Sequence, residues 1–332
     1  CLNTKQAAAN LTLKGQQTPI NKSLLVHIFS IIFPLIFIVL CGYIASRSGF
    51  LERIHIAGLS KFTFYISVPS FLFLNMAKAD LQTSVNLNGF LSFYIPVILI
   101  YLFALIIDRY ILSKKLQYER HSVFALGSSY SNTVLVGLPI IIAALGEQMM
   151  GIIFMIITFH SALLFTLTFL ISANSASHVF SWSAFSKNML LNPVVLSIST
   201  GLLVNLAGVT LFADLTKGLA LLAEPAIACA LFVLGANLAF YKISDNWQAA
   251  AIASLLKLVI LPALVLLLGT HVFTLNESLL KVLVLLSASP LGVNAYLIAC
   301  QIKQHQDTLA SAVVLSTVLS VLSFSVWLTI LL

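Results

Sequence analysis

Apolar residues in this chain come in long blocks rather than in alternating or helical stripes. A helix that is apolar on every side belongs in lipid or in the core of a large assembly. Read as helices, the blocks span roughly 24–46, 54–76, 90–112, 121–145, 149–172, 188–209, 216–240, 247–270, 278–302 and 306–331, ten in all. Many reach the roughly 18 to 20 residues that cross a hydrocarbon layer. The first run, Leu24 to Ala45, exceeds the roughly 7 to 15 residues of a signal-peptide core and reads as a span. Residues 1–23 read as a polar tail, 24–172 and 188–332 as two five-helix units, and 173–187, with its SANSASH, as the linker between them.

Composition agrees. Of 332 residues, 60% are hydrophobic and 8% charged, with mean hydropathy +1.06. Water-soluble domains carry about 25% charged residues, so the fold class is an all-α integral membrane protein. The net charge of +7 comes with no basic stripe interleaved with aromatics, which excludes nucleic acid as a partner; the lipid bilayer is the partner expected. Under the positive-inside rule, one set of connections holds Arg47, Arg53, Arg109, Lys114, Lys115, Arg120, Lys187, Lys242 and Lys303, and the other Lys78 and Lys217. Both termini are therefore expected outside a plasma (inner) membrane, although Lys5, Lys14 and Lys22 in the tail oppose that orientation. Cys41, Cys229 and Cys300 read as buried membrane thiols, and a start at Cys1 reads as a trimmed end. No cofactor or metal site is expected. HExxH, GxSxG and GxxxxGK[ST] are absent, so no enzyme or ATP-driven pump is expected.

The prolines add a pattern. Pro34, Pro69, Pro96 and Pro139 fall in spans one to four, Pro193, Pro225, Pro262 and Pro290 in spans six to nine, and spans five and ten have none. Corresponding prolines are about 150 to 165 positions apart. Proline inside a membrane helix is tolerated where neighbours re-satisfy the backbone, so a repeated layout points to a repeated architecture. Five spans per half put the second half upside down, giving the inverted repeats common among secondary transporters.

Two stretches interrupt their spans, NTVLVGLP (Asn132 to Pro139) in span four and SPLGVN (Ser289 to Asn294) in span nine. Gly137 and Pro139 are expected to break the first, and Ser289, Pro290 and Gly292 the second. Breaks reaching the midplane from opposite sides would present half-helix N-termini, which favour anions, beside Asn132 and Asn294. Ser128, Ser129, Tyr130 and Ser131 add hydroxyls. The plainer alternative is two kinks held by helix–helix hydrogen bonds. Lys257, about ten residues into span eight, is an expensive mid-membrane cation that suits a carboxylate, a pairing with Glu224, or a structural role. Glu224 and His160, the latter read as the only histidine well inside a span, are candidates for ion coupling; packing is the competing role for His160.

These stretches resemble the auxin efflux carrier family, which includes plant exporters and bacterial malate- and malonate-type permeases. The resemblance rests on SSYSNTVLVGLP, SPLGVNAYLIACQ and STVLSVLSF, with LCGYIASRSGFL, LSKFTFYISVPSFLF, LLNPVVLSISTGLLVN and LFVLGANL, and runs from about residue 24 onward. It implies ten spans with the fourth and ninth broken and crossing, and an elevator mechanism. Spans 1, 2, 6 and 7 would form a scaffold, often dimeric, and spans 3–5 and 8–10 a moving unit. It places Asn132, Pro139, Pro290 and Asn294 at the substrate. The expectation is a secondary transporter of small organic anions, mono- or dicarboxylates, driven by their own gradient, protons or sodium. A sodium-coupled bile-acid-type carrier and a non-transporting sensor or channel are the alternatives.

Overall fold

The computed structural model describes residues 18–79, 86–113, 118–147, 150–172, 187, 191–241 and 247–332. All of the linker read at 173–187 except Lys187, and most of the tail, lie outside these residues. Twelve helices account for nearly all of the described chain: α1 Thr18–Arg47, α2 Arg53–Lys78, α3 Leu87–Leu112, α4 Tyr118–Ser129, α5 Thr133–Leu145 and α6 Met150–Ser172. After them come α7 Pro193–Leu206, α8 Ala213–Leu238, α9 Trp247–His271, α10 Glu277–Ser287, α11 Val293–Ile302 and α12 Gln306–Leu331. Among the described residues, seven helices (α1, α2, α3, α6, α8, α9 and α12) are long and apolar enough to cross a membrane. The blocks read as spans four and nine are each two short helices, and span six is the 14-residue α7.

Several bounds differ from the sequence reading for local reasons. Helix α1 begins at Thr18, inside the expected tail, with Pro19 in its first turn, where a missing N–H costs nothing. Helix α7 begins later than expected. Pro193 is its first residue rather than an interior one, and the Asn192 side chain accepts from Val194 N at 2.9 Å as its cap. Gly208, at φ +62°, follows its end.

Three prolines follow a widened turn, while Pro34 and Pro96 sit inside helices without one. A π turn at Thr63–Ser67 precedes Pro69, one at Thr133–Gly137 precedes Pro139, and one at Leu256–Ile260 precedes Pro262. The wider turn relieves the clash of the ring with the preceding carbonyls. Pro262 has no N–H for the Leu258 carbonyl four residues back. Ser323 Oγ (2.8 Å) and Trp327 Nε1 (3.0 Å) of α12 donate to that carbonyl instead. In hydrocarbon such an orphan would cost several kcal/mol.

The helices pack as two groups. In one, α1 lies along α8, and α2 along α7 and the first part of α8. In the other, α3 packs on α4 and α9, α4 on α6 and α11, α9 on α12, and α10 on α5 and α9. The groups meet where α1 touches α5 and α12, and where α6 touches α2 and α7. An apolar cleft of about 470 Å³ opens along that seam, lined by Ile36 and Val39 of α1, Val136 and Ile140 of α5, and Val321 and Phe324 of α12, with α8 residues beside them.

Glycines set both close pairs in the first group. A side chain at Gly42 of α1 would run into the Phe232 carbonyl of α8 and lie 3.1 Å from Ala236 N; one at Gly201 of α7 would lie 2.7 Å from the Phe73 carbonyl of α2 and 3.3 Å from Ala77 N. The two contacts share one spacing: 42 to 201, 73 to 232 and 77 to 236 are each 159 positions. Gly235 likewise faces the Val39 backbone. Small residues that let backbones touch are how helices associate in lipid, where no hydrophobic force drives them together.

Candidate functional site

The second group is organised around a crossing of extended backbone. Helix α4 stops at Ser129 and α10 at Ser287, and the chain resumes helical form at Thr133 and Val293. Between these ends Ser131 and Leu291 lie antiparallel. Asn132 N donates to Pro290 O (2.8 Å) and Gly292 N to Tyr130 O (3.1 Å). The N–H of the central residue in each break turns outward to a following helix: Ser131 N donates to His160 Nε2 on α6 (2.8 Å), and Leu291 N to Ser316 Oγ on α12 (3.1 Å). Tyr130 and Pro290, Ser131 and Leu291, and Asn132 and Gly292 are each 160 positions apart.

This corrects the location of the first break. The chain opens at Tyr130–Asn132, ahead of Gly137 and Pro139, because the π turn absorbs the proline without a rupture. Gly137 serves close approach instead, since a Cβ there would sit 2.5 Å from Ser289 Oγ. Gly292 likewise packs its bare Cα against the Tyr130 ring. The asparagines are not equivalent in position. Asn132 caps its half-helix, accepting from Leu135 N through Oδ1 at 3.3 Å. The position matching it across the crossing is Gly292, the cap of α11. Asn294 is two residues further on, exposed, with Nδ2 donating to Tyr130 Oη at 3.2 Å. Tyr130 Oη pairs in turn with Ser161 Oγ at 2.7 Å.

Three buried polar atoms at the crossing have no protein partner: Asn132 Nδ2, Ser131 Oγ and His160 Nδ1. With Oδ1 engaged by Leu135, Asn132 offers its amide N–H groups. Because His160 Nε2 accepts from Ser131 N, its Nδ1 carries the hydrogen. Two of the three open groups are thus N–H donors and the third is a hydroxyl, a set that matches a carboxylate. Rings of Tyr130 and Phe165 stack beside them, and the Tyr130 ring also lies 4.9 Å from His160.

The other candidates take different places. Lys257 is fully buried in the π turn of α9, and its Nζ donates to the Ser287 carbonyl at the C-terminal end of α10. The amine there satisfies a carbonyl that the helix end leaves without an intrahelical partner. Glu224 lies elsewhere, exposed at the bend of α8, lining a cavity with Lys78 and Glu147. Ser128 and Ser129 bond back to Phe124 O and Ala125 O of their own helix. Cys41, Cys229 and Cys300 are free and half-buried. Sequence reasoning missed Ser161 and Ser316, since serine is common in membrane helices. His121 and His305, at the ends of their spans, also have buried side chains.

Long apolar helices and a polar crossing enclosed among them define a multi-pass membrane protein. A family model described as membrane transport protein matches residues 27–328. The chain belongs to that family, the auxin efflux carrier family, whose members are transporters rather than enzymes. Among curated proteins no sequence matches it.

Proposed function

We propose that the protein is a secondary transporter of small organic anions, mono- or dicarboxylates, bound at the crossing of the two broken spans. The observation that carries this reading is the set of open donors, Asn132 Nδ2 and His160 Nδ1 with Ser131 Oγ, buried with no protein partner. A buried donor without a partner costs about 1–3 kcal/mol, and a carboxylate satisfies two at once. Asn294, open beside Tyr130, supplies the second half's contact, and the N-termini of α5 and α11 supply partial positive charge.

In this reading the chain makes ten spans as two inverted halves, supported by the shared spacings of 159 and 160 positions described above. The α1–α2–α7–α8 group is the scaffold, and a homodimer through it belongs to the same proposal. The other group, carrying the crossing, slides along the apolar seam. A plasma-membrane location with both termini outside rests on the basic connections: Arg47, Arg53, Arg120 and Lys303 all lie at one end of the helices.

Purified protein in proteoliposomes, preloaded with a panel of carboxylates, should show counterflow of labelled substrate, with imposed proton and sodium gradients identifying the coupling ion. Stoichiometric binding without counterflow would overturn transport in favour of a sensor.

A further inference from the structure

Away from the crossing, in the last turns of α3, the Asp108 carboxylate is fully buried. Oδ2 meets His121 Nδ1 at 2.7 Å and Oδ1 meets His305 Nε2 at 3.1 Å. Arg120 Nε stands 4.0 Å from Oδ2. Arg120 and His121 belong to the first turn of α4, and His305 to the connection between α11 and α12. The cluster therefore ties together chain segments 197 positions apart. It lies at the basic end of the helices, near Arg109 and Lys303.

The connection it holds is conformationally unusual. Lys303 (φ 61°) and His305 (φ 50°) both adopt the left-handed region, which disfavours residues with a Cβ. His305 also packs its ring 5.6 Å from that of Phe124. Immediately before this connection runs α11, the ten-residue rod whose other end carries Gly292 and Asn294 at the crossing. Whatever fastens or frees the connection acts on one end of a rigid element that reaches the substrate site.

Hydrogen-bond chemistry identifies what can fasten it. A carboxylate only accepts, so His121 Nδ1 and His305 Nε2 both donate. His305 Nδ1 faces Thr308 Oγ1 at 3.2 Å, and a hydroxyl can donate to a neutral nitrogen or accept from a protonated one. His305 can therefore gain a proton without losing a partner. His160 has no such freedom, because a proton on Nε2 would break its bond from Ser131 N. A proton on His305 makes its bond to Asp108 charge-assisted and stronger. Among the described residues the surrounding charged and titratable groups are Asp108 on α3, Arg120 and His121 on α4, and Lys303 and Asp307 flanking His305; the Arg109 guanidinium rests over the Tyr110 ring.

We propose that Asp108, His121 and His305 form a proton-binding latch, in which protonation of His305 fastens the α11–α12 connection and sets the pH dependence of transport. The second half of this statement rests on the transport reading above.

The test uses full-length protein in lipid nanodiscs and proteoliposomes between about pH 5 and 8, the range in which histidine changes charge. Backbone hydrogen exchange over residues 299–309, corrected for intrinsic rates, should slow several-fold on the acid side in the unaltered protein. That step should vanish in His305→Gln and in Asp108→Asn. No pH step in the unaltered protein overturns the latch, whatever the variants do, and so does a step that persists in His305→Gln. Counterflow should change with pH over the same interval and become pH-independent in His305→Gln. A pH profile unaltered by His305→Gln overturns the link to transport. An exchange step without counterflow of any carboxylate overturns the transport reading and leaves the latch standing.

Discussion

At the crossing, single atoms carry the argument. Asn132 divides its amide between two tasks, since Oδ1 caps α5 and Nδ2 remains open. Asn132→Ala should therefore abolish counterflow and also weaken the half-helix, a cap loss of about 1 kcal/mol. Asn294→Ala should abolish counterflow with little change in thermal unfolding, because its one bond is to the Tyr130 hydroxyl at an exposed edge. Normal transport in both variants would remove the site from the crossing. Ser316→Ala strips the Leu291 N–H of its acceptor. A buried N–H left open costs about 1–3 kcal/mol, which should appear as a lower unfolding temperature in detergent. Both asparagines were legible in the sequence, because an amide in an apolar run needs a reason to be there. Ser316 was not, because nothing in the text separates a serine that accepts from another segment from one that bonds its own helix, as Ser128 does.

Helices here are shaped by where prolines can be tolerated. The sequence revealed that eight prolines lie in separate runs, but their consequences differ. Pro193 starts α7, Pro262 follows a π turn, and Pro290 sits in the crossing itself. For Pro262 what decides is the neighbour available to the carbonyl it orphans, and that neighbour is distant in sequence. For Leu258 it is α12, so Ser323→Ala and Trp327→Phe should each be mild, with the other donor remaining. The double variant should lose more stability than the sum of the two, measured by a double-mutant cycle of thermal unfolding. Close helix contacts follow the same rule. A valine at Gly42 would push α1 off the Phe232 carbonyl, and overpacking of this kind costs about 1–3 kcal/mol. Gly42→Val should therefore lower the unfolding temperature and broaden the size-exclusion peak, while Gly58→Val, where a Cβ meets nothing within 4 Å, should do neither.

On the scale of the whole molecule, two helix groups meet along an apolar seam. If the crossing-bearing group slides against the other, locking the seam must stop transport. After replacement of Cys1, Cys41, Cys229 and Cys300 by alanine, cysteines at Ile36 and Ile140, which line the same cleft, should let a bifunctional maleimide arrest counterflow. Substrate-induced thermal stabilisation should survive. Counterflow at an unchanged rate in the linked protein would exclude sliding along this face. The sequence alone determined that the chain lives in lipid, where its helices run and which two are interrupted. The first two follow from transfer energies, which act residue by residue, and the third from polar and helix-breaking residues set in apolar runs. Only the tertiary structure decided that the first interruption falls at Tyr130–Asn132, that Lys257 closes the end of α10, and that Asp108 is gripped by His121 and His305. Each depends on which polar group a folded neighbour leaves unpaired, and pairing between separate helices leaves no periodic trace in the chain.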